Sequence, residues 1–156
     1  MPTSWRLIET TFASTAFTGE GALLSRGRWH SPGTRIVYTA DSRALAVLEV
    51  LTRLRGRAPQ VPYSLIGVTY PVSVITHIDP ATLPDNWRAY PGPAPLQALG
   101  DAWIASKTSL VLRVPSAVIP EESNYLINPE HPEVPLLATH PGTPFRFDLR
   151  LIPQPT

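Results

Sequence analysis

The 156-residue chain contains no cysteine. That excludes disulfide bridges, thiolate nucleophiles and cysteine-ligated zinc. Charge is also scarce: Asp, Glu, Lys and Arg make up 16% of residues, and 13 basic against 12 acidic side chains leave a net charge of +1. Such a balance provides no broad basic face for phosphate backbones, so direct nucleic-acid binding is not expected. Low charge together with 43% apolar residues is likewise unlike a disordered chain. No apolar run approaches the roughly 18–20 residues of a membrane span. The opening "MPTSWRLIET" lacks the basic-then-apolar order of a signal peptide. A cytoplasmic protein without membrane association is the expectation. Several chemical motifs are missing as well: G-x-x-x-x-G-K-[ST], G-x-G-x-x-G and the G-x-S-x-G elbow. The four histidines, His30, His77, His131 and His140, have no metal-ligand spacing. Neither a metal nor a prosthetic group is expected.

What is present suits one hydrophobic core and a single domain over residues 1–156. Proline is abundant, with 19 residues, mostly between Pro59 and Pro155, which predicts a second half rich in loops and short strands. "RIVYTA", 35–40, reads as a strand with Ile36 and Tyr38 on one face. "DSRALAVLEVLTRL" reads as a helix with Asp41 or Ser42 as N-cap and a buried stripe of Ala44, Val47, Leu48, Leu51 and Leu54. "SLIGVTY" and "VSVITHI" read as strands separated by Pro71. "PAPLQALGDAWIASKT" reads as a second helix with Leu96, Leu99 and Trp103 on one face. "SLVLRV" reads as a strand halted by Pro115, and "FRFDLRLI" alternates so as to turn Phe145, Phe147, Leu149 and Leu151 inward. Strands outnumber helices, which predicts an α+β fold with a mixed or antiparallel sheet.

Three stretches could carry chemistry. In "SRGRWHSPGTRIVY", 25–38, Gly27 and Gly33 permit bends and close approach, Arg28 offers a planar fork of donors to phosphate or carboxylate, and Tyr38 offers a flat ring. An equally simple account makes Arg28 a surface residue stacked on Trp29, and Tyr38 core. Glu49 lies off the predicted apolar stripe of its helix, flanked on the wheel by Leu45 and Ala46. It is either a solvated carboxylate paired with Arg53 at i+4 or a carboxylate aimed into a cleft beside the preceding strand. In "VPSAVIPEESNYLINPEHP", 114–132, Ser116 follows a strand end, where side chains often face a cleft. The remainder could be a proline-rich loop with a local Asn-Pro turn.

Taken together, "GRWHSPGTRIVYTADSRALAVLEVL", "LPDNWRAYP", "GDAWIASKTSLVLRVPSAVIPEESNYLINPEHP" and "FRFDLRLI" resemble the RES-domain family of bacterial toxins over nearly the whole chain. The family is named for an Arg, a Glu and a Ser, which by motif fall on Arg28, Glu49 and Ser116, and its active-site tyrosine falls on Tyr38. Where the family often has Gly-Gly-Arg-Trp-Asn, this chain has Arg26, Gly27, Arg28, Trp29 and His30.

The resemblance implies a fold related to ADP-ribosyltransferase toxins and NAD as substrate, cleaved at the nicotinamide–ribose bond by a glycohydrolase or phosphorylase. Protein ADP-ribosylation is the alternative activity, and a non-catalytic partner-binding domain is a further one. It also implies a type II toxin–antitoxin pair in which an Xre-like helix-turn-helix antitoxin blocks the active site, with a homodimer of this chain as one form of the complex. In that reading Arg28, Tyr38, Ser116 and Trp29 contact NAD. Arg28 holds the diphosphate, Tyr38 stacks on nicotinamide or the ribose edge, and Ser116 donates to the nicotinamide ribose or its amide. Glu49 stabilises the developing positive charge.

Overall fold

A computed structural model describes residues 1–154. Its eight strands form one sheet: Thr3–Glu9 (β1), Val37–Ala40 (β2), Tyr63–Thr69 (β3), Ile75–His77 (β4), Val111–Pro115 (β5), Ser123–Ile127 (β6), Ala138–Thr139 (β7) and Thr143–Phe145 (β8). The strand order is β4-β5-β6-β2-β1-β3-β7, with β8 also on β3. Only β4 and β5 run parallel; the other pairs are antiparallel. The expected α+β architecture with a mixed sheet is what the structure shows. No helix among the described residues is long and apolar enough to cross a membrane.

Two helices lie on one face of this sheet. Arg43–Leu54 (α1) begins at Ser42, whose hydroxyl accepts the Leu45 N–H at 3.1 Å, and ends at Arg55 in the left-handed region. It packs Leu45, Ala46, Val47 and Val50 against Leu7, Ala40 and Leu65. The predicted stripe is therefore displaced: Ala44 is exposed, while Leu45 and Ala46 are buried. Apolar residues run unbroken from Ala44 to Leu48, so the sequence leaves the helix's rotation open, and burying Leu45 instead of Ala44 removes more apolar surface from water. The rotation brings Glu49, three and four residues beyond Ala46 and Leu45, to the margin of the buried face. Its expected partner Arg53 makes no ion pair; among the described residues the one salt bridge joins Arg150 to Asp148.

Ala94–Ser106 (α2) covers the other half of the same sheet face. Leu96 and Trp103 pack, with Leu99 at the margin, against Trp29, Leu112, Val114 and Leu126, as the helical spacing predicts. The opposite sheet face carries a third cluster, built on Val37, Val68, Tyr70, Val111 and Ile127. Between the two clusters, β2 and β6 carry Tyr38, Ala40 and Asn124 on this face, a strip termed the trough.

Two other expectations change. "FRFDLRLI" is not one strand: Phe147 is buried, but Leu149 and Leu151 are 67% and 48% exposed on a 3-10 turn. Asp148 caps that turn by accepting the Arg150 N–H, which breaks the alternation. The central strands β1 and β6 stand where the sequence suggests no strand.

Contact between α2 and the loop before β2 is extremely close. A Cβ added at Gly100 would overlap the Trp29 carbonyl. Gly21 has nothing within 4 Å of such an atom. Gly100→Ala should cost about 3 kcal/mol or more, because the clash is with backbone and cannot relax by a rotamer change. Gly21→Ala should stay within about 0.5 kcal/mol. Denaturant midpoints of the two variants check this; equal midpoints would show that the helix and loop are not pinned here.

Candidate active site

The loop 26–31 is fastened to α2 by residues on one helical face. Gln97 Nε2 donates to the carbonyls of Gly27 (2.8 Å) and Arg28 (2.9 Å), Gly100 admits the Trp29 backbone, and Asp101 accepts the Ser31 N–H at 3.0 Å. Arg26, standing where the family often has glycine, donates to the Gly92 carbonyl and ties the loop to the 84–93 segment. Trp29 itself is 2% exposed and belongs to the core, so its indole does not line the trough.

His30 has a definite role. Its Nε2 faces two carbonyl oxygens, of Ser25 (2.8 Å) and Ala22 (3.0 Å), so Nε2 carries the proton and donates. Nδ1 is then the acceptor for the Tyr38 hydroxyl at 2.6 Å, and that same oxygen accepts the Trp29 N–H at 3.1 Å. A Cβ at Gly27 would come within 2.6 Å of both the His30 ring and the Tyr38 oxygen, so this knot requires glycine there. Burial raises the Tyr38 phenol well above its ordinary value, with the Trp29 N–H opposing that shift. The Tyr38 hydroxyl therefore has its proton and one lone pair engaged, while its ring is half-buried.

Arg28 is half-buried beside this knot. Its Nη1 donates to the carbonyls of Trp87 (2.7 Å) and Ala89 (2.9 Å), which fixes the guanidinium. Among the described residues, Nε and Nη2 have no hydrogen-bond partner. Burial lowers its pKa from the usual arginine value, and the negative charge of Glu49 pulls the other way, so the two side chains sense one another. This segment, "NWRAYP", is thus the cradle of Arg28.

Ser116 is fully buried at the end of β5. Its hydroxyl accepts from the N–H groups of Val118 and Ile119, each at 3.1 Å, and donates to Glu49 Oε1 at 3.1 Å. All three valences are used. Ser116 therefore acts on Glu49 and has no donor left for a ligand, in contrast to the direct contact expected of it. Glu49 keeps Oε2 unpaired among the described residues.

Asn124, which no sequence motif marks, pairs in register with Ala40 and Val114 and shares a sheet face with Tyr38. Its signal was hidden because "SNYLINP" reads as turn; the turn is real, but it starts at Asn128, whose Oδ1 accepts the Glu130 N–H at 3.0 Å. No three His, Asp or Glu side chains gather as metal ligands among the described residues. A pocket of about 730 Å³ lies elsewhere, against β3 and β8. It is open and apolar, lined by Val61, Tyr63, Phe145 and Phe147 among others, and brings no functional groups together. The convergent polar groups, Glu49, Ser116 and the Arg28 that senses Glu49, lie away from it.

Comparisons with known proteins agree with the motifs. A sequence model described as RES domain matches residues 3–150. Toxin Res of Yersinia enterocolitica is 34% identical over 148 residues, covering 94% of this chain and 97% of the relative. A protein named Prs ADP-ribosylating toxin, from a Sphingobium species, is 35% identical over 153 residues, covering 95% of each. In fold, the chain resembles one from the crystal structure of the M. tuberculosis MbcT-MbcA toxin–antitoxin complex, with a TM-score of 0.77 at 18% identity over 92% of this chain and 84% of that one.

The Tyr38 knot predicts a pH dependence. An unfolded tyrosine ionises near pH 10, and burial raises both Tyr38 and Tyr70 above that in the folded chain. At higher pH the unfolded chain therefore holds fewer protons than the folded one, and stability falls as pH rises. Tyr38→Phe should cost about 1–3 kcal/mol near neutrality, by orphaning the Trp29 N–H and His30 Nδ1, and should flatten the alkaline decline. Denaturant melts at neutral pH and above the free phenol's value check both. An unchanged alkaline slope would place the Tyr38 phenol in solvent.

Proposed function

The chain belongs to the RES domain family, and from that premise we propose that it is a toxin that cleaves NAD at the nicotinamide–ribose bond. The observation that carries this reading is a carboxylate, Glu49, held by a buried serine opposite a fixed arginine. Breaking the bond sends its electron pair to the pyridinium nitrogen, so nicotinamide leaves neutral and needs no acid. The ribose passes through an oxocarbenium-like state, as in glycoside hydrolysis. Glu49, turned by Ser116 so that Oε2 faces the trough, supplies the negative charge that this state requires. Arg28 presents Nε and Nη2 to the diphosphate, its Nη1 being anchored already; this supplies placement at little cost in side-chain order. The half-buried Tyr38 ring is the stacking surface for nicotinamide or the ribose edge.

The acceptor distinguishes the finer readings. Water makes the chain a glycohydrolase, phosphate a phosphorylase. A protein side chain makes it an ADP-ribosyltransferase, a reading favoured by the similarity to the Prs ADP-ribosylating toxin. The partner we propose is an antitoxin seated over the trough, for which the toxin–antitoxin complex of the structural neighbour is the support.

The test is incubation of the purified chain with NAD, with and without phosphate. Free ADP-ribose, ADP-ribose-1″-phosphate and labelled protein each select one reading. No consumption of NAD under any condition would overturn all three. Glu49→Gln should lower turnover on the order of 10²–10³-fold with melting close to wild type, since Glu49 is only half-buried. Arg28→Lys should raise KM at least as much as it lowers kcat. Near wild-type turnover by Glu49→Gln would remove its assigned role.

A further inference from the structure

The side chains around the trough can be sorted by what their neighbours leave unused. Ser116 has no unused donor or acceptor, and the Tyr38 hydroxyl has its proton and one lone pair engaged. Arg28 presents donors only, which suit the diphosphate but cannot accept from a hydroxyl. Glu49 Oε2 is one acceptor. A ribose carries two vicinal hydroxyls, and a site that orients the ring needs a partner for the second. Of the four residues named by motif only the Glu49 carboxylate keeps ample acceptor capacity, and it would hold the ring from one side only.

Asn124 offers a second partner. It lies in β6 on the floor of the trough, between Ala40 of β2 and Val114 of β5, and Leu126 two residues on pairs with Tyr38. Alternation along the strand puts Asn124, Ala40, Tyr38 and Val114 on the face that α1 and α2 flank. Ala40 and Val114 are apolar and buried, so a polar side chain between them is out of keeping with packing alone. The amide orientation is fixed by its one contact: Nδ2 donates to the Thr39 carbonyl at 3.3 Å, which turns Oδ1 away from that backbone. No donor among the described residues reaches Oδ1. The residue is half-buried, neither sealed in the core nor fully in solvent.

Resting on the NAD-cleaving reading above, we infer that Asn124 is a substrate-binding residue whose Oδ1 accepts a hydrogen bond from one hydroxyl of the nicotinamide ribose, while Glu49 takes the other. The role expected of Ser116 thus divides: Ser116 positions Glu49, and Asn124 touches the sugar. Orienting the ring from two sides would fix the anomeric carbon relative to the Glu49 charge.

The experiment uses NAD and its analogues lacking the 2″- or the 3″-hydroxyl of the nicotinamide ribose, with wild type and Asn124→Ala. Asn124→Ala should lose about tenfold or more in kcat/KM for NAD, as removal of one partner of a hydrogen bond in a shielded site does. Wild type should show a similar loss with one of the two deoxy analogues. For that analogue, Asn124→Ala should lose nothing further, since residue and hydroxyl are halves of one interaction. A merely structural role would lower activity equally with all three substrates and would shift the melting temperature. If the alanine variant melts below the assay temperature, Asn124→Ser carries the same comparison. Activity within about twofold of wild type, or losses that multiply with both analogues, overturns the inference. Those outcomes leave NAD cleavage by the wild type intact; failure of the wild type to cleave NAD would remove the underlying reading and this inference with it.

Discussion

The close contact between Gly100 and the Trp29 backbone holds the site together. There is no room for a side chain at position 100, because the loop carrying Arg28 lies directly on α2. Gln97 and Asp101, one turn before Gly100 and the residue after it, bind the carbonyls and N–H groups of that loop. Trp29 then fills the core beneath. An arginine emerging from a loop clamped in this way has a fixed origin, and the carbonyls of Trp87 and Ala89 fix its far end. Interior packing is dense enough that such a placement is not easily altered without cost elsewhere. Stability and the placement of the Arg28 guanidinium therefore depend on the same few atoms.

The second half of the site is built on different physics. Glu49 comes from α1, whose rotation is set by burying Leu45, Ala46 and Val50 on β1, β2 and β3. The carboxylate is brought to the helix margin by that hydrophobic choice and then turned by Ser116, whose own geometry is fixed by two backbone N–H groups beyond β5. The trough exists because two separate apolar clusters sit on one sheet face with a polar strip between them. Tyr38 and Asn124 occupy that strip. A sheet interior normally excludes such groups unless they are paired. Tyr38 is paired through His30 and Trp29, and Asn124 is half-paired through Thr39.

Much of this was legible in the sequence, and what was not has identifiable causes. The helix of α1 with its cap at Asp41 or Ser42, the strand of Tyr38, and the Leu96–Trp103 face of α2 follow from periodicity and capping, which are local. The motif residues Arg28, Tyr38 and Glu49 come together around one trough. Only the fold reveals that three partners exhaust the Ser116 hydroxyl. β1 was missed because Trp5 and Arg6 disguise a central strand, although both are accommodated, Trp5 against Gly67 and Arg6 by donating to the Ala16 carbonyl. β6 was missed because Ser123, Asn124 and Asn128 are turn-forming residues, and Asn124 went unnoticed with it. His30, a departure from the usual asparagine, gains its meaning from Ala22 and Ser25, contacts that no spacing rule predicts.

The central claim is that the trough between α1 and α2 binds a dinucleotide through the atoms its own structure leaves unpaired. A crystal structure of the Glu49→Gln variant with intact NAD tests this most directly. The account predicts the diphosphate on Nε and Nη2 of Arg28, the nicotinamide end against the Tyr38 ring, and the ribose hydroxyls between position 49 and Asn124, with Ser116 still turned to position 49 and Trp29 still buried. A dinucleotide bound elsewhere, or lying in the trough with its diphosphate away from Arg28, would contradict it.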